Sequence, residues 1–185
     1  MNIPLPGATI DSSTATKAIV ERFFTHYQRH EFPAMHALLD PNVSFSDLAF
    51  ARITGADVRA MWQWYCVSTG TRPKPVDVRS IKVEDSTGNR VRAKYEVDYT
   101  LKGGHHVRYV IQSKFELRDA KIVSQVDTPT ISNFQFARMV LGFPKCLLAL
   151  TPFFRPIVRW GMKRKLKKFR ASPGSASQTS QGGSH

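Results

Sequence analysis

No aspartate or glutamate follows Asp127 in this sequence. Residues 131–185 hold ten of the 27 Lys and Arg and none of the 14 Asp and Glu; residues 1–130 hold the remainder. Of the formal net charge of +13, therefore, +3 belongs to the first stretch and +10 to the second. A block of one charge sign points to an anionic partner, either lipid headgroups or nucleic acid. Cysteine is equally scarce. Cys66 and Cys146 stand apart in apolar surroundings with no CxxC spacing, which excludes a disulfide scaffold and suits buried free thiols in a reducing cytoplasm. Long apolar runs are missing too. The richest stretch, Met139 to Val158, is interrupted by Lys145, Arg155 and three prolines, whereas a membrane span needs about 20 uninterrupted apolar residues. Met1-Asn-Ile-Pro-Leu-Pro6 has neither a basic region nor a continuous apolar one, which argues against a secretory signal.

What remains suits one domain: 185 residues with 42% hydrophobic composition can bury a single core. Residues 1–12 read as a flexible lead-in. From about Thr14 a helical stripe carries Ile19, Phe23 and Tyr27, with Val20 and Phe24 beside it. Pro33 suits the first turn of a second helix reaching Leu39, which Asp40-Pro41-Asn42 breaks. Val43 to Leu48 alternates as a strand with Val43, Phe45 and Asp47 on one face, and a third helix runs from Asp57 to about Val67. After Arg72-Pro-Lys-Pro75 the period changes to two, giving strands over about 76–85, 90–101, 105–118 and 121–128. Clean alternation from Val91 to Leu101 and from Val107 to Leu117 predicts an antiparallel sheet packed on helices from one side. Helices followed by a strand meander make the class α+β. Residues 13–130 form the predicted domain, 131–170 a basic, apolar helical arm, and 171–185 a Ser/Gly/Gln-rich tail expected to be disordered.

Several short segments carry a family resemblance. They are Ile19-Val-Glu-Arg-Phe-Phe24, Asp40-Pro-Asn-Val-Ser-Phe-Ser-Asp47, Gly55-Ala-Asp-Val-Arg-Ala-Met-Trp62 and Lys121-Ile-Val-Ser-Gln-Val-Asp127. With the element order, they make residues 16–141 resemble the nuclear-transport-factor-2-like superfamily. The similarity is to its bacterial branch of SnoaL-type polyketide cyclases, ketosteroid isomerases and limonene-epoxide hydrolases. The resemblance implies a curved antiparallel sheet wrapped around N-terminal helices as a cone, whose mouth holds a mostly apolar pocket and no cofactor. The arm, through Leu141-Gly142 and Thr151-Pro-Phe-Phe154, resembles an extension of some bacterial members.

Two carboxylates are the catalytic candidates. Asp47 shares a strand face with Val43 and Phe45, and Asp127 shares one with Val123 and Gln125. Apolar neighbours raise a carboxyl's pKa toward the range in which it serves as acid or base. By resemblance, Asp47 matches the proton-shuttling base of the isomerases, and Asp127 the acid/base aspartate on the last strand of cyclases and epoxide hydrolases. The alternative for each is a strand-end aspartate satisfied by backbone donors or an arginine. Two departures matter. The positions that form the isomerase oxyanion hole read Phe23, which donates nothing, and Ser113. Glu96-Val-Asp98 lacks the arginine that the epoxide-hydrolase pattern needs two residues before its aspartate. Phe23, Tyr27, Phe45, Trp62, Tyr109, Ser113 and Gln125 are the expected ligand-binding residues, with plain core packing as the competing reading of the aromatic ones. His26 and His30, four apart, have no third ligand nearby in sequence, so no metal is expected.

Three readings of the arm stay open. It could cover the domain's apolar surface. It could lie on an anionic membrane through Phe153 to Arg170, whose aromatic anchors precede Lys163-Arg-Lys-Leu-Lys-Lys-Phe-Arg170. Nucleic acid is the weakest reading, since no recognised module is present. Two functions follow: proton-transfer isomerisation, cyclisation or dehydration of a small apolar molecule by Asp47 or Asp127, or non-catalytic carriage of a lipid-like ligand at a membrane periphery. A homodimer is compatible with either.

Overall fold

Strand alternation builds the larger part of this fold. In the computed structural model, which describes residues 12–69 and 72–172, six strands form one sheet in the order β2-β1-β6-β5-β4-β3. The expected lead-in and tail lie almost wholly outside the described residues. The strands are β1 (Leu39–Ser46), β2 (Ile53–Thr54), β3 (Asp77–Thr87), β4 (Arg90–Thr100), β5 (His106–Arg118) and β6 (Lys121–Pro129). The sheet is curved, open and mostly antiparallel, and the fold is α+β as the strand pattern predicts. On β4, Val91, Ala93, Tyr95 and Val97 are buried while Arg92 points to solvent, because successive side chains face opposite sides of a strand.

Helices α1 (Ser12–Gln28), α2 (Phe32–Ala37) and α3 (Ala56–Cys66) cover the apolar face. The α1 stripe is buried throughout: Ile19, Val20, Phe23, Phe24 and Tyr27 are each at most 6% exposed. Phe23 meets Trp62 of α3 edge-on at 5.2 Å and Phe115 of β5 at 6.1 Å, while Phe24 meets Tyr95 at 4.8 Å. Helix and sheet are thereby joined through aromatic rings, each contributing about 2–3 kcal/mol by burial.

Strand β1 departs from expectation. It begins at Leu39 and runs through Asp40-Pro41-Asn42, where a helix breaker followed by a later strand was expected. Leu39 pairs with Ile122, the register shifts, and Ser44 to Ser46 then pair with Ser124 to Val126. Pro41 falls inside that irregularity, where its missing N–H costs no ladder bond. The β1–β6 pairing is parallel, and the two-residue β2 carries no sequence signal.

The arm comprises α4 (Asn133–Leu141), a 3₁₀ segment (Lys145–Leu150) and α5 (Phe154–Arg170). The α4 N-cap is Ser132. Ser132 Oγ accepts from Gln135 N at 3.2 Å and Gln135 Oε1 accepts from Ser132 N at 2.9 Å, a reciprocal capping box. Gly142 ends the helix at φ 69°, where glycine carries no Cβ penalty. Pro156 lies in the first turn of α5, where a proline is tolerated. Leu166, Met162 and Phe169 pack on the main core, and Arg170 forms an ion pair with Asp57. Ala137, Cys146 and Phe154 instead make a second small cluster with Phe134, Phe136 and Val158.

Candidate active site

The sheet's concave side and the arm enclose a cavity of about 200 Å³. The domain supplies Tyr27, Phe45, Trp62, Tyr109, Asp47 and Asp127 among its wall residues, and α4 and α5 supply Ala137, Val140, Phe154, Val158 and Met162. Six of the nine residues singled out from sequence thus meet at one cavity. Phe23, Ser113 and Gln125, also expected there, stand behind its wall. Phe23 is consumed by ring packing, and the other two turn toward Asp127.

Asp47 leaves the end of β1 in a tight turn. Its carboxylate accepts from Phe50 N at 2.6 Å, and its own N–H donates to Phe50 O at 2.8 Å. Burial pushes its pKa up to about 7, and the charge of Asp127 adds to the rise; the Phe50 and Ala49 amides and the Arg159 guanidinium pull it back. No arginine salt bridge holds it among the described residues. The sign of the resulting stability effect is fixed. A carboxyl whose folded pKa lies above its unfolded value binds more protons when folded, so it costs stability as pH rises from about 4 to about 7. Asp47→Asn removes that cost. Its stability relative to the wild type should improve by about 3 kcal/mol between pH 5 and pH 8, measured by urea unfolding.

Asp127 is more completely enclosed, at 6% exposed. Tyr95 Oη donates to Oδ2 at 2.6 Å, Gln125 Nε2 to Oδ1 at 2.9 Å, and Ser113 Oγ also to Oδ1. Burial raises its pKa and these three donors oppose the rise. Both oxygens are occupied by protein, so Asp127 has less capacity than Asp47 to accept a substrate proton.

Arg72 was missed from sequence, where it read as part of a loop break. It is 4% exposed and lines the cavity. Nη2 donates to the carbonyls of Trp64 and Val67, the latter at 3.1 Å, and Nε donates to Lys74 O at 3.0 Å. Its guanidinium lies 5.9 Å from the Trp64 ring centre and 5.7 Å from that of Tyr65. It therefore caps the C-terminus of α3, where helix carbonyls lack partners. Desolvation lowers its pKa, yet an arginine remains charged, so a fixed positive charge stands in the cavity wall. A basic residue just beyond an apolar helix end was the available sequence signal. The indole N–H of Trp62 is buried with no acceptor, and burial holds Tyr27, Tyr65 and Tyr109 well above the usual phenol range.

Other sequence candidates lie elsewhere. Glu96 pairs with Arg108, and Asp98 with His106 and Arg79, all on the outer side of the sheet. His26 bonds Glu31 and His30 reaches the Val76 carbonyl. Among the described residues no group of three or more His, Cys, Asp or Glu is placed to hold a metal ion. Both cysteines are free and buried.

Solved structures share this architecture. A candidate polyketide cyclase of Xanthomonas campestris is 19% identical, with a TM-score of 0.59 over 70% of this chain and 99% of that one. An LEH-like epoxide hydrolase of M. tuberculosis is 20% identical, with a TM-score of 0.53 over 75% and 96%. A candidate isomerase of Bacillus subtilis is 18% identical, with a TM-score of 0.54 over 72% and 96%. At such identities the likeness is one of fold. No curated protein matches the sequence. The sequence itself carries the family: residues 20–125, more than half of the chain, match the SnoaL-like domain, and the chain belongs to that family.

Proposed function

We propose that the cavity binds a small apolar molecule bearing a carbonyl and that Asp47 moves a proton on it, as an isomerase, cyclase or dehydratase does. One observation carries this reading: a carboxyl with its pKa pushed up to about 7 lines an apolar cavity and is held there by backbone amides. A group half ionised near neutral pH serves as base in one step and acid in the next. Asp127, in the same wall, supports it, since its charge helps keep Asp47 basic. Arg72 adds positive potential to the wall of the same cavity, and in a dry site such a charge would stabilise a nearby oxyanion. The unpaired Trp62 N–H is a further donor for that oxygen.

The competing reading is a carrier of a lipid-like ligand without chemistry. It is favoured by the full occupation of both Asp127 oxygens by Tyr95, Ser113 and Gln125. Incubation of the protein with a polycyclic ketone in D₂O separates the two. Saturable quenching of tryptophan fluorescence, together with α-hydrogen exchange faster than in buffer, supports proton transfer. Binding with exchange at the buffer rate supports the carrier. No saturable binding of the ketone overturns proton transfer, and no saturable binding of a fatty acid overturns the carrier.

A further inference from the structure

We propose that the segment from Phe143 to Trp160 is a docking face for an anionic lipid bilayer, and that the same segment is the movable roof of the cavity. The docking half stands without any reading of the cavity; the roof half rests on the cavity binding an apolar ligand.

Eight large hydrophobic residues are strongly exposed among the described residues, and seven of them fall in this one segment. Phe143, Leu150, Phe153 and Trp160 are 79, 71, 68 and 67% exposed, with Ile157, Leu148 and Leu147 between 48 and 58%. A concentration of this kind marks an interaction surface. Its surroundings identify the partner. Lys145, Arg155, Lys163, Arg164, Lys167 and Lys168 are exposed around it, and no acid occurs anywhere beyond Asp127. Bulky apolar side chains rimmed by cations alone are complementary to acyl chains beneath anionic headgroups. A broad set of aliphatic anchors such as Leu147, Leu148, Leu150 and Ile157 suits acyl chains better than nucleic acid, whose binding rests mainly on phosphate contacts and base stacking. No helix among the described residues is long and apolar enough to cross a membrane, so the face would lie on the bilayer.

The other side of the segment closes the cavity. Phe154 and Val158 of the segment line it, beside Phe136, Val140 and Leu141 of α4, which precedes the segment. Phe136, Leu141, Phe154 and Val158 belong to the small second cluster, while the far end of α5 is moored to the main core by Leu166 and Phe169 and to Asp57 by Arg170. The roof is therefore a satellite layer that can lift while its mooring holds. An apolar ligand released into the bilayer would reach the cavity through it without crossing water.

The intact protein carries its own reporters. Trp62 and Trp64 are 1 and 5% exposed, so added vesicles act chiefly on the emission of Trp160. Vesicles of phosphatidylcholine with about a quarter phosphatidylglycerol should shift that emission to the blue and co-sediment the protein at low salt. Phosphatidylcholine alone should bind at least about tenfold more weakly, as should the mixed vesicles to a Phe153→Ser/Ile157→Ser variant. Those two positions are exposed, so the variant should melt with the wild type. Roof opening is read at Cys146, which is fully buried in the second cluster, with the core thiol of Cys66 as internal reference. Labelling of Cys146 by N-ethylmaleimide should accelerate on anionic vesicles while that of Cys66 does not. Absence of binding, equal binding to neutral vesicles, or undiminished binding by the variant overturns the docking face. Binding with no change at Cys146 overturns the roof, and neither result bears on whether a ketone enters the cavity.

Discussion

Replacing Asp47 with asparagine should slow α-hydrogen exchange of a bound ketone by about 10²–10⁴-fold while changing ligand affinity by less than about threefold. The loss corresponds to about 3–5 kcal/mol of transition-state stabilisation. It falls on the rate rather than on binding because the side-chain volume is kept and asparagine still accepts from Phe50 N, which fixes the turn. What vanishes is the capacity to hold a proton at a pKa of about 7. In the wild type the rate should climb with pH and level off above that value, since the base is the ionised form. Asp127→Asn should move the midpoint downward, because the charge of Asp127 is one of the influences raising the Asp47 pKa. A midpoint that stays in place would mean the two carboxyls do not communicate. Kinetics in buffered D₂O across pH 5 to 9, with NMR detection, reads both effects.

Trp62→Ala should destabilise the fold by about 4 kcal/mol. The indole is 1% exposed and meets the rings of Tyr27 at 5.0 Å, Phe23 at 5.2 Å, Phe45 at 5.7 Å and Tyr65 at 6.0 Å. Its removal leaves a void among four rings anchored on three different elements, which cannot collapse together. Because Trp62 also lines the cavity, the variant should admit a bulkier ligand than the wild type. Trp160→Ala provides the contrast. At 67% exposed it should change stability by less than about 0.5 kcal/mol, whatever it does to vesicle binding. Thermal and urea unfolding of the two variants side by side measures the difference.

The sheet was legible because its pattern is local. From Val91 to Leu101 and from Val107 to Leu117 apolar and polar residues alternate, and the strands form within one or two residues of the expected ends. Strand β1 was legible only from Val43 on, since Asp40-Pro41-Asn42 reads as a breaker until Ile122, far along the chain, supplies a partner for Leu39. The meeting of Asp47 with Asp127 was legible only through the family resemblance, as no local periodicity relates two strands so distant. Arg72 escaped notice because its partners are backbone carbonyls, so that only its place beyond an apolar helix end hinted at its role. The seating of the arm stayed open for a related reason. A helix with Phe154, Val158 and Met162 on one face and Phe153, Ile157 and Trp160 on another reads as apolar on both sides, and sequence alone does not say which side meets the domain.

The parallel seating of β1 beside β6 also sets an order of events at the ribosome. Ser44 and Ser124 are hydrogen-bonded 80 residues apart, so β1 emerges long before the strand it needs. Until β6 has been made, β1 has only the two residues of β2 to pair with, while β3 to β5 already form hairpins among themselves. Closing so long a loop comes late and slowly. A nascent chain halted before Lys121 should therefore expose β1 as an unpaired apolar edge, and this half-made species is the one that would need a chaperone.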